Sequence, residues 1–240
     1  MKYITLFEQQ TAFDNAKSTL DKPNMSLVTE NGNVYSLAVG GGVTYEYVDL
    51  GLPSHLKWAK CNVGAEKETD AGLYFAWGET TGYTASQVGT DKRFSWSEYK
   101  YGNSSSNLAK YNQSDGKTVL ESTDDAATQI MGGDWRMPTQ TEIQELLDNT
   151  NKEWTQVNGV NGYKFTSNKE GFQNNSIFFP AAGLCSDGSV YTVGNDGYVW
   201  SSSLYTSDHS RAWYLGFNSN NCRMYSNLRY LGFSVRGVRK

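Results

Sequence analysis

The sequence offers few side chains that could act as nucleophiles, acid–base groups or metal ligands. Its 240 residues include three cysteines and two histidines. Cys61, Cys185 and Cys222 lie far apart along the chain, so they do not supply the clustered ligands of a structural zinc site. We therefore expect isolated thiols that are buried or partly buried, with no metal and no cofactor.

The histidines and the neighbouring carboxylates do not suggest a catalytic set either. His55 follows a Pro-Ser turn, which places it on a predicted surface loop. Asp124 and Asp125 stand at the start of a predicted helix, where the helix dipole stabilises negative charge. We interpret this pair as a helix N-terminus and not as a catalytic pair, and we expect no enzymatic activity.

The C-terminal stretch has the pattern most typical of a recognition surface. Along residues 211–218, side chains alternate as they do in a strand with two distinct faces. The predicted buried face of this strand and the next consists of Trp213, Leu215, Phe217, Cys222 and Met224. If the two strands pair, Tyr214, Arg223 and Tyr225 stand together on the outer face.

The outer face and its loops combine rigid aromatic and forked cationic side chains with small polar ones, a mixture typical of protein recognition surfaces. The candidate ligand-binding residues are Tyr205, Ser207, Asp208, His209, Arg211, Tyr214, Arg223, Tyr225, Ser226, Asn227, Leu228, Tyr230 and Leu231. We predict that they bind a macromolecular ligand, protein or glycan, on a target cell surface without chemical turnover. The alternative is an ordinary sheet face with exposed polar and aromatic residues.

The choice of residue types in this stretch supports the first interpretation. Residues 201–239 contain no Glu, Gln or Lys, although the rest of the chain uses all three. If this stretch were diversified by replacement of the adenines in Asn codons that end in a pyrimidine, Glu, Gln and Lys could not arise. Every candidate surface residue could arise in this way. Chance in a short stretch is the competing explanation.

Composition and charge exclude several other classes of protein. The net charge of −4 argues against a broad electrostatic contact with nucleic acid. No segment reaches the roughly 18 apolar residues of a membrane span, so we expect no membrane insertion. The first ten residues lack the apolar core of a signal peptide. We expect a virion-associated or cell-surface protein, and otherwise a cytoplasmic one.

The chain is predicted to contain a small N-terminal unit and one larger domain. Residues 1–42 form the small unit, with a helix at 7–20, a hairpin at 25–39 and a closing run of glycines. This α/β appendage is a candidate attachment segment for an assembly partner. The main domain is predicted at 43–240, with the variable ligand-binding region at about 201–239.

Two helices and several antiparallel strands are predicted in the main domain, so its fold class is α+β. The first helix is predicted at 126–131. The second begins with a capping box at 139–142 and buries Ile143, Leu146 and Leu147. Residues 80–118 are predicted to be a structured loop region over the core. Strands are predicted at 45–50, 56–59, 74–78, 154–157, 163–166, 176–179, 189–193, 198–203 and 232–236.

Several motifs resemble known families. Residues 135–142 (WRMPTQTE), 200–203 (WSSS) and 232–239 (GFSVRGVR) resemble the C-type-lectin-fold branch that includes formylglycine-generating enzyme. Residues 47–54 (YVDLGLPS) and 74–80 (YFAWGET) resemble the major paralogous domain common in gut anaerobes. The tail is similar to the variable region of proteins diversified by diversity-generating retroelements. The resemblance covers the main domain alone.

The resemblance implies a C-type-lectin scaffold that displays a hypervariable, non-catalytic ligand-binding surface. In phages such a protein is a receptor-binding tail component, and in bacteria it is displayed at the cell surface. The absence of a signal peptide favours a phage or prophage origin by analogy.

Two other functions remain open at this point. An enzyme related to formylglycine-generating enzyme would need a reactive cysteine pair near the end of the chain, and Cys185 and Cys222 are far apart in sequence. A calcium-dependent sugar-binding lectin would need several oxygen ligands, for which Asp187, Asn195 and Asp196 are the nearest candidates. Asx-Gly turns are more often only turns, and the usual Glu-Pro-Asn motif is absent.

Overall fold

The structure is a computed structural model that describes residues 45–240 and two short strands before them. The chain divides into two units, Met1–Thr44 and Tyr45–Lys240. In the first unit, β1 (Ser26–Val28) pairs antiparallel with β2 (Val34–Ser36), which confirms the strand pairing of the predicted hairpin.

The remaining predictions for the N-terminal segment fall outside the described residues. They are the helix at 7–20, the turn of the hairpin and the closing run of glycines.

The second unit is mainly antiparallel sheet with few helices, as the predicted class requires. Its strands are β3 (Tyr47–Asp49), β4 (Lys57–Ala59), β5 (Tyr74–Phe75), β6 (Gly102–Ser104), β7 (Asn107–Leu108), β8 (Thr150–Val157), β9 (Val160–Ser167), β10 (Ser176–Pro180), β11 (Leu184–Ser186), β12 (Ser189–Tyr191), β13 (Asp196–Leu204), β14 (Arg211–Asn218), β15 (Asn221–Leu228), β16 (Phe233–Ser234) and β17 (Val238–Arg239). The helices are α1 (Ala126–Met131) and α2 (Gln140–Asp148). None of the helices in the described part of the chain is long and apolar enough to cross a membrane.

Both helices begin where their capping residues predict. The Asp125 side chain accepts a hydrogen bond from the Thr128 backbone N–H at 2.9 Å, and α1 ends at Gly132 with φ 68°. Thr139 and Glu142 form a capping box at the start of α2. The stripe that α2 buries consists of Ile143, Leu146 and Leu147, as predicted.

The largest sheet has five strands in the order β15-β14-β13-β16-β5. The three long strands β13, β14 and β15 pair antiparallel, whereas the short β16 runs parallel to β13. A register shift interrupts the β13–β14 ladder between Trp200 and Leu204. The tail therefore supplies two of the three long strands of this sheet, with β15 at its edge.

The two faces of this sheet enter two different cores. One face carries Leu215 and Phe217 into a core shared with α2 and the β8–β10 sheet. The other carries Trp200 and Tyr214 into a core built largely from aromatic side chains. Because both faces are covered, alternation along β14 separates one core from another and not core from solvent.

The loop region predicted at 80–118 does cover a core. It contains two short 3-10 turns and the small β6–β7 hairpin. Its buried aromatic residues are Phe94, Tyr99, Tyr101 and Tyr111, which join the aromatic core that also contains Trp200 and Tyr214. The region is a covering layer over the tail strands, held by aromatic packing in place of regular secondary structure.

Candidate ligand-binding site

The predicted pairing of the two tail strands is confirmed. Tyr214 lies directly opposite Tyr225, and Gly216 lies directly opposite Arg223. Residues opposite each other in an antiparallel pair share a face, as do residues two apart along a strand. Tyr214, Arg223 and Tyr225 therefore stand on one face of the sheet, as the sequence predicted.

The exposure predicted for Tyr214 is wrong. Its side chain is only 8% exposed and belongs to the aromatic core. Leu231, another candidate residue, is also buried, at 7% exposed. Trp213 departs in the opposite direction, because it is only half-buried and packs edge-on against Tyr205. The physical reason is the covering layer over this face, which alternation within one strand cannot reveal.

Tyr214 forms part of a line of stacked rings that runs from the core to the surface. Trp200 stacks on Phe233 with ring centroids 4.1 Å apart, and Phe233 contacts Tyr214 at 4.9 Å. Tyr214 stacks on Tyr225 at 5.8 Å with 26° between the ring planes. The Arg223 guanidinium lies 4.6 Å from the Tyr225 ring centroid and ends the line at the exposed surface. We call these five residues the aromatic line.

A small groove opens beside the exposed end of the aromatic line. Its volume is about 120 Å³. The lining residues are Asp196, Gly197, Tyr198, Tyr214, Gly216, Phe217, Asn218, Asn221 and Tyr225. Gly216 keeps the groove open, because a Cβ at this position would lie 2.8 Å from the Tyr225 ring and 2.9 Å from the Tyr214 ring. The Tyr214 and Tyr225 rings therefore occupy the space into which any side chain at position 216 would project.

The remaining candidate residues lie at or beside the opposite end of the sheet. We call residues 205–210 and 228–232 the loop end. Asp208 is exposed, but its carboxylate accepts hydrogen bonds from the backbone and hydroxyl of Ser210. The hydrogen bonds from Ser210 lower the pKa of Asp208. Ser207 is also exposed, and Tyr205 and His209 are half-buried. The Asp208 carboxylate thus shapes its own loop.

The polar candidates on β14 and β15 beside the loop end also have contacts within the domain. The Arg211 guanidinium donates to the Ser226 carbonyl at 2.9 Å, which ties the two strands together. Asn227 and Leu228 are half-buried. Tyr230 is half-buried and packs against Trp96 with ring centroids 5.0 Å apart. Trp96 comes from the covering layer, so the surface at the loop end has two sources in the chain.

Arg229 anchors the loop end from inside. Its side chain is fully buried, and its guanidinium donates to the Tyr99 hydroxyl and to the carbonyls of Lys110, Tyr111 and His209 at 2.9–3.0 Å. No carboxylate pairs with it among the described residues.

Aromatic rings complete the surroundings of Arg229. The guanidinium carbon lies 5.1 Å from the Trp77 ring centroid and 5.2 Å from that of Tyr99. The backbone N–H of Arg229 also donates to the Ser210 carbonyl. The backbone carbonyl of Arg229 accepts a hydrogen bond from the backbone N–H of Trp77. Sequence reasoning missed this residue because its hydrogen-bond acceptors are backbone carbonyls, which leave no trace in the sequence.

Ionisable side chains outside the tail that could take part in catalysis are engaged in hydrogen bonds and ion pairs within the fold. The Asp124 carboxylate accepts from the hydroxyls of Tyr101 and Tyr111 and from the Lys110 ammonium. Burial alone would raise the pKa of Asp124, but these hydrogen bonds lower it to about 2. Lys92 forms a buried ion pair with Glu79 at 2.8 Å.

The three cysteines are free thiols, as predicted. Burial raises the pKa of Cys185 to about 12, and that of Cys222 to about 12 as well. Burial also raises the pKa of Cys61. Because a thiolate is the reactive form of cysteine, all three are poor nucleophiles at neutral pH.

Part of the chain matches a known family model. A family model described as a domain of unknown function (DUF8237) matches residues 151–238, which run from β8 to β17 and include the groove and the loop end. No curated protein and no solved structure matches the chain.

Proposed function

We propose that the chain is a non-catalytic ligand-binding protein of the C-type-lectin fold whose recognition surface is the exposed part of β13–β15 and the loop end. The observation that carries the proposal is the aromatic line, which holds Arg223 and Tyr225 in fixed positions at the surface. Rigid side chains lose little conformational entropy when a ligand binds, so they make effective anchors.

The arrangement suits a surface whose exposed residues can be exchanged. Arg223 is exposed and Tyr225 is half-buried, while their support comes from buried rings such as Phe233 and Trp200. Ser207, Asp208 and Arg223 are exposed and belong to neither core, so their substitution should leave both cores intact. This separation supports a variable protein of a diversity-generating retroelement, on a scaffold like that of the major paralogous domain. We extend the proposal to display on a phage, a prophage particle or a bacterial cell.

An enzyme of the formylglycine-generating type is a weaker candidate. That chemistry relies on a reactive cysteine pair, and the raised pKa values of Cys185 and Cys222 oppose thiolate formation at neutral pH.

The test compares two double variants of the full chain. One replaces Arg223 and Tyr225 by alanine, and the matched control replaces Lys152 and Tyr191, an exposed cation and an exposed tyrosine outside the tail. Fluorescently labelled protein is applied to an array of immobilised glycans and to intact cells of gut anaerobes.

The wild-type chain and the control are expected to bind the same probes, and the tail variant to lose binding by about tenfold or more. The control should unfold within about 0.5 kcal/mol of the wild type per substitution, as surface changes do. The tail variant should lose about 2 kcal/mol or less and stay folded in the binding assay, because Tyr225 is half-buried and its stacking on Tyr214 is lost. Binding that survives in the tail variant, or wild-type protein that binds none of these probes, would refute the proposed surface.

A further inference from the structure

The groove has hydrogen-bonding groups that the protein itself leaves unused. One oxygen of the Asp196 carboxylate accepts from the Asn218 amide at 3.0 Å. Within residues 45–240, the other oxygen of Asp196 makes no hydrogen bond, and neither does the side-chain amide of Asn221. A carboxylate oxygen and a free amide thus border the same small space. Together they can accept from and donate to a ligand that carries hydroxyl groups.

Arg223 adds a positive charge at the edge of the groove. It is not a lining residue, but it lies between the lining residues Asn221 and Tyr225 on the same face of β15, directly across from Gly216. In the described part of the chain its guanidinium forms neither an ion pair nor a hydrogen bond, and it stacks on the Tyr225 ring at 4.6 Å. This contact with the ring leaves the N–H groups of the guanidinium free for a ligand. This planar array of donors matches a carboxylate in two parallel hydrogen bonds.

Size and lining narrow the choice of ligand. A volume of about 120 Å³ is below the roughly 300–1,000 Å³ of a site that encloses a whole small molecule, so the groove suits the terminal group of a larger ligand. No aliphatic side chain lines the groove, whose walls are glycine, aromatic residues, two asparagines and one aspartate. A purely apolar side chain of a protein partner would leave the free oxygen of the Asp196 carboxylate and the Asn221 amide without a hydrogen-bond partner. A ring rich in hydroxyl groups would find both donors and acceptors.

We propose that the groove binds a terminal acidic sugar, with the sugar carboxylate on Arg223 and its hydroxyl groups on Asp196 and Asn221. The assignment rests on the proposed ligand-binding function of this surface and names the class of ligand. The Tyr225 ring and the aromatic line behind it hold the arginine in place. The acidic sugar of a surface glycan, a uronic acid or a sialic acid, has the required chemistry.

The experiment uses two sugars that differ at one carbon. Methyl glucuronide carries a carboxylate where methyl glucoside carries a hydroxymethyl group. Each is titrated into the full chain by calorimetry, with the methyl glycoside of a sialic acid as a second acidic probe and free glutamate as a peptide-like one. We expect the acidic sugars to bind roughly fivefold more tightly than the glucoside, as for an exposed ion pair.

Two variants assign the preference to its residue. Arg223→Gln should abolish the difference between the glucuronide and the glucoside, whereas Lys169→Gln, which also removes an exposed positive charge, should preserve it. An equal affinity for both sugars, or a preference that survives Arg223→Gln, would overturn the assignment. Binding of glutamate without either acidic sugar would overturn it in favour of an acidic peptide.

Failure of this inference differs from failure of the proposed function. If the array and cell binding of the full chain depends on Arg223 and Tyr225 while no acidic sugar binds, the ligand class is wrong and the recognition surface stands. If neither the array and cell binding nor the binding of acidic sugars depends on Arg223 and Tyr225, both proposals are wrong.

Discussion

Replacement of Arg229 by methionine is expected to destabilise the domain by about 4 kcal/mol. Methionine keeps much of the apolar length of the side chain and removes the guanidinium. Four acceptors then lose their donor, namely the Tyr99 hydroxyl and the carbonyls of Lys110, Tyr111 and His209. A buried polar group left without a partner costs about 1 kcal/mol or more, which sets the scale of the loss.

An opposing contribution keeps the estimate near about 1 kcal/mol for each of the four acceptors. Arg229 is a buried cation without a carboxylate partner in the described residues, so its removal also relieves a desolvation cost. The contacts of the guanidinium with Trp77 and Tyr99 are lost at the same time.

Urea unfolding followed by tryptophan fluorescence measures the change, because Trp77 and Trp96 lie close to the mutated site. Arg223→Met serves as the control, since it removes an exposed arginine of the same tail and should change the free energy of unfolding by less than about 0.5 kcal/mol. A loss below about 1 kcal/mol for Arg229→Met would show that water or rearranged side chains satisfy the four acceptors, and the anchoring role would be refuted.

Three further predictions follow from burial and packing. Tyr214→Ala should cost about 3–5 kcal/mol in urea unfolding and Trp213→Ala clearly less, because the first ring is buried and the second is half exposed; the reverse order would contradict the two-core description. Asp124→Asn should remove about 2 kcal/mol at pH 7. The pKa of Asp124 falls from 3.8 to about 2 on folding, so this stability is present above pH 4 and is lost as the pH drops toward 2. The unfolding curves of the wild type and the variant should therefore converge in acid. A difference that stays constant with pH would show that ionisation of Asp124 does not contribute to stability. Gly197→Ala should cost about 1–3 kcal/mol, since its Cβ would lie 2.0 Å from the Phe217 ring, and an unchanged melting temperature would show that the ring moves freely.

The elements of the second unit were predictable because their signals are local. The capping box at Thr139 and Glu142 fixes the start of α2, and its apolar spacing fixes the buried stripe. The bounds of β14 coincide with the alternating stretch, residues 211–218. These features depend on residues within a few positions of one another, so a single sequence contains them.

The burial of the candidate site was less predictable because it depends on contacts between distant segments. Tyr214 and Tyr225 alternate in the same way, and only the position of Phe233 and the covering layer decides which ring is buried. Trp213 looked like a core residue from its type. The interruption of the ladder between Trp200 and Leu204 is equally invisible in the pattern of the tail.

The position of β13–β15 between the two cores ties completion of both cores to the order of protein synthesis. These strands divide the two cores, and β14 and β15 are made after every other long strand of residues 45–240. Until they leave the ribosome, both cores lack a wall and their apolar side chains stay open to chaperones and proteases. A substitution in the tail that prevents these walls from forming would therefore leave both cores open, so correct folding limits which residues the tail strands can carry.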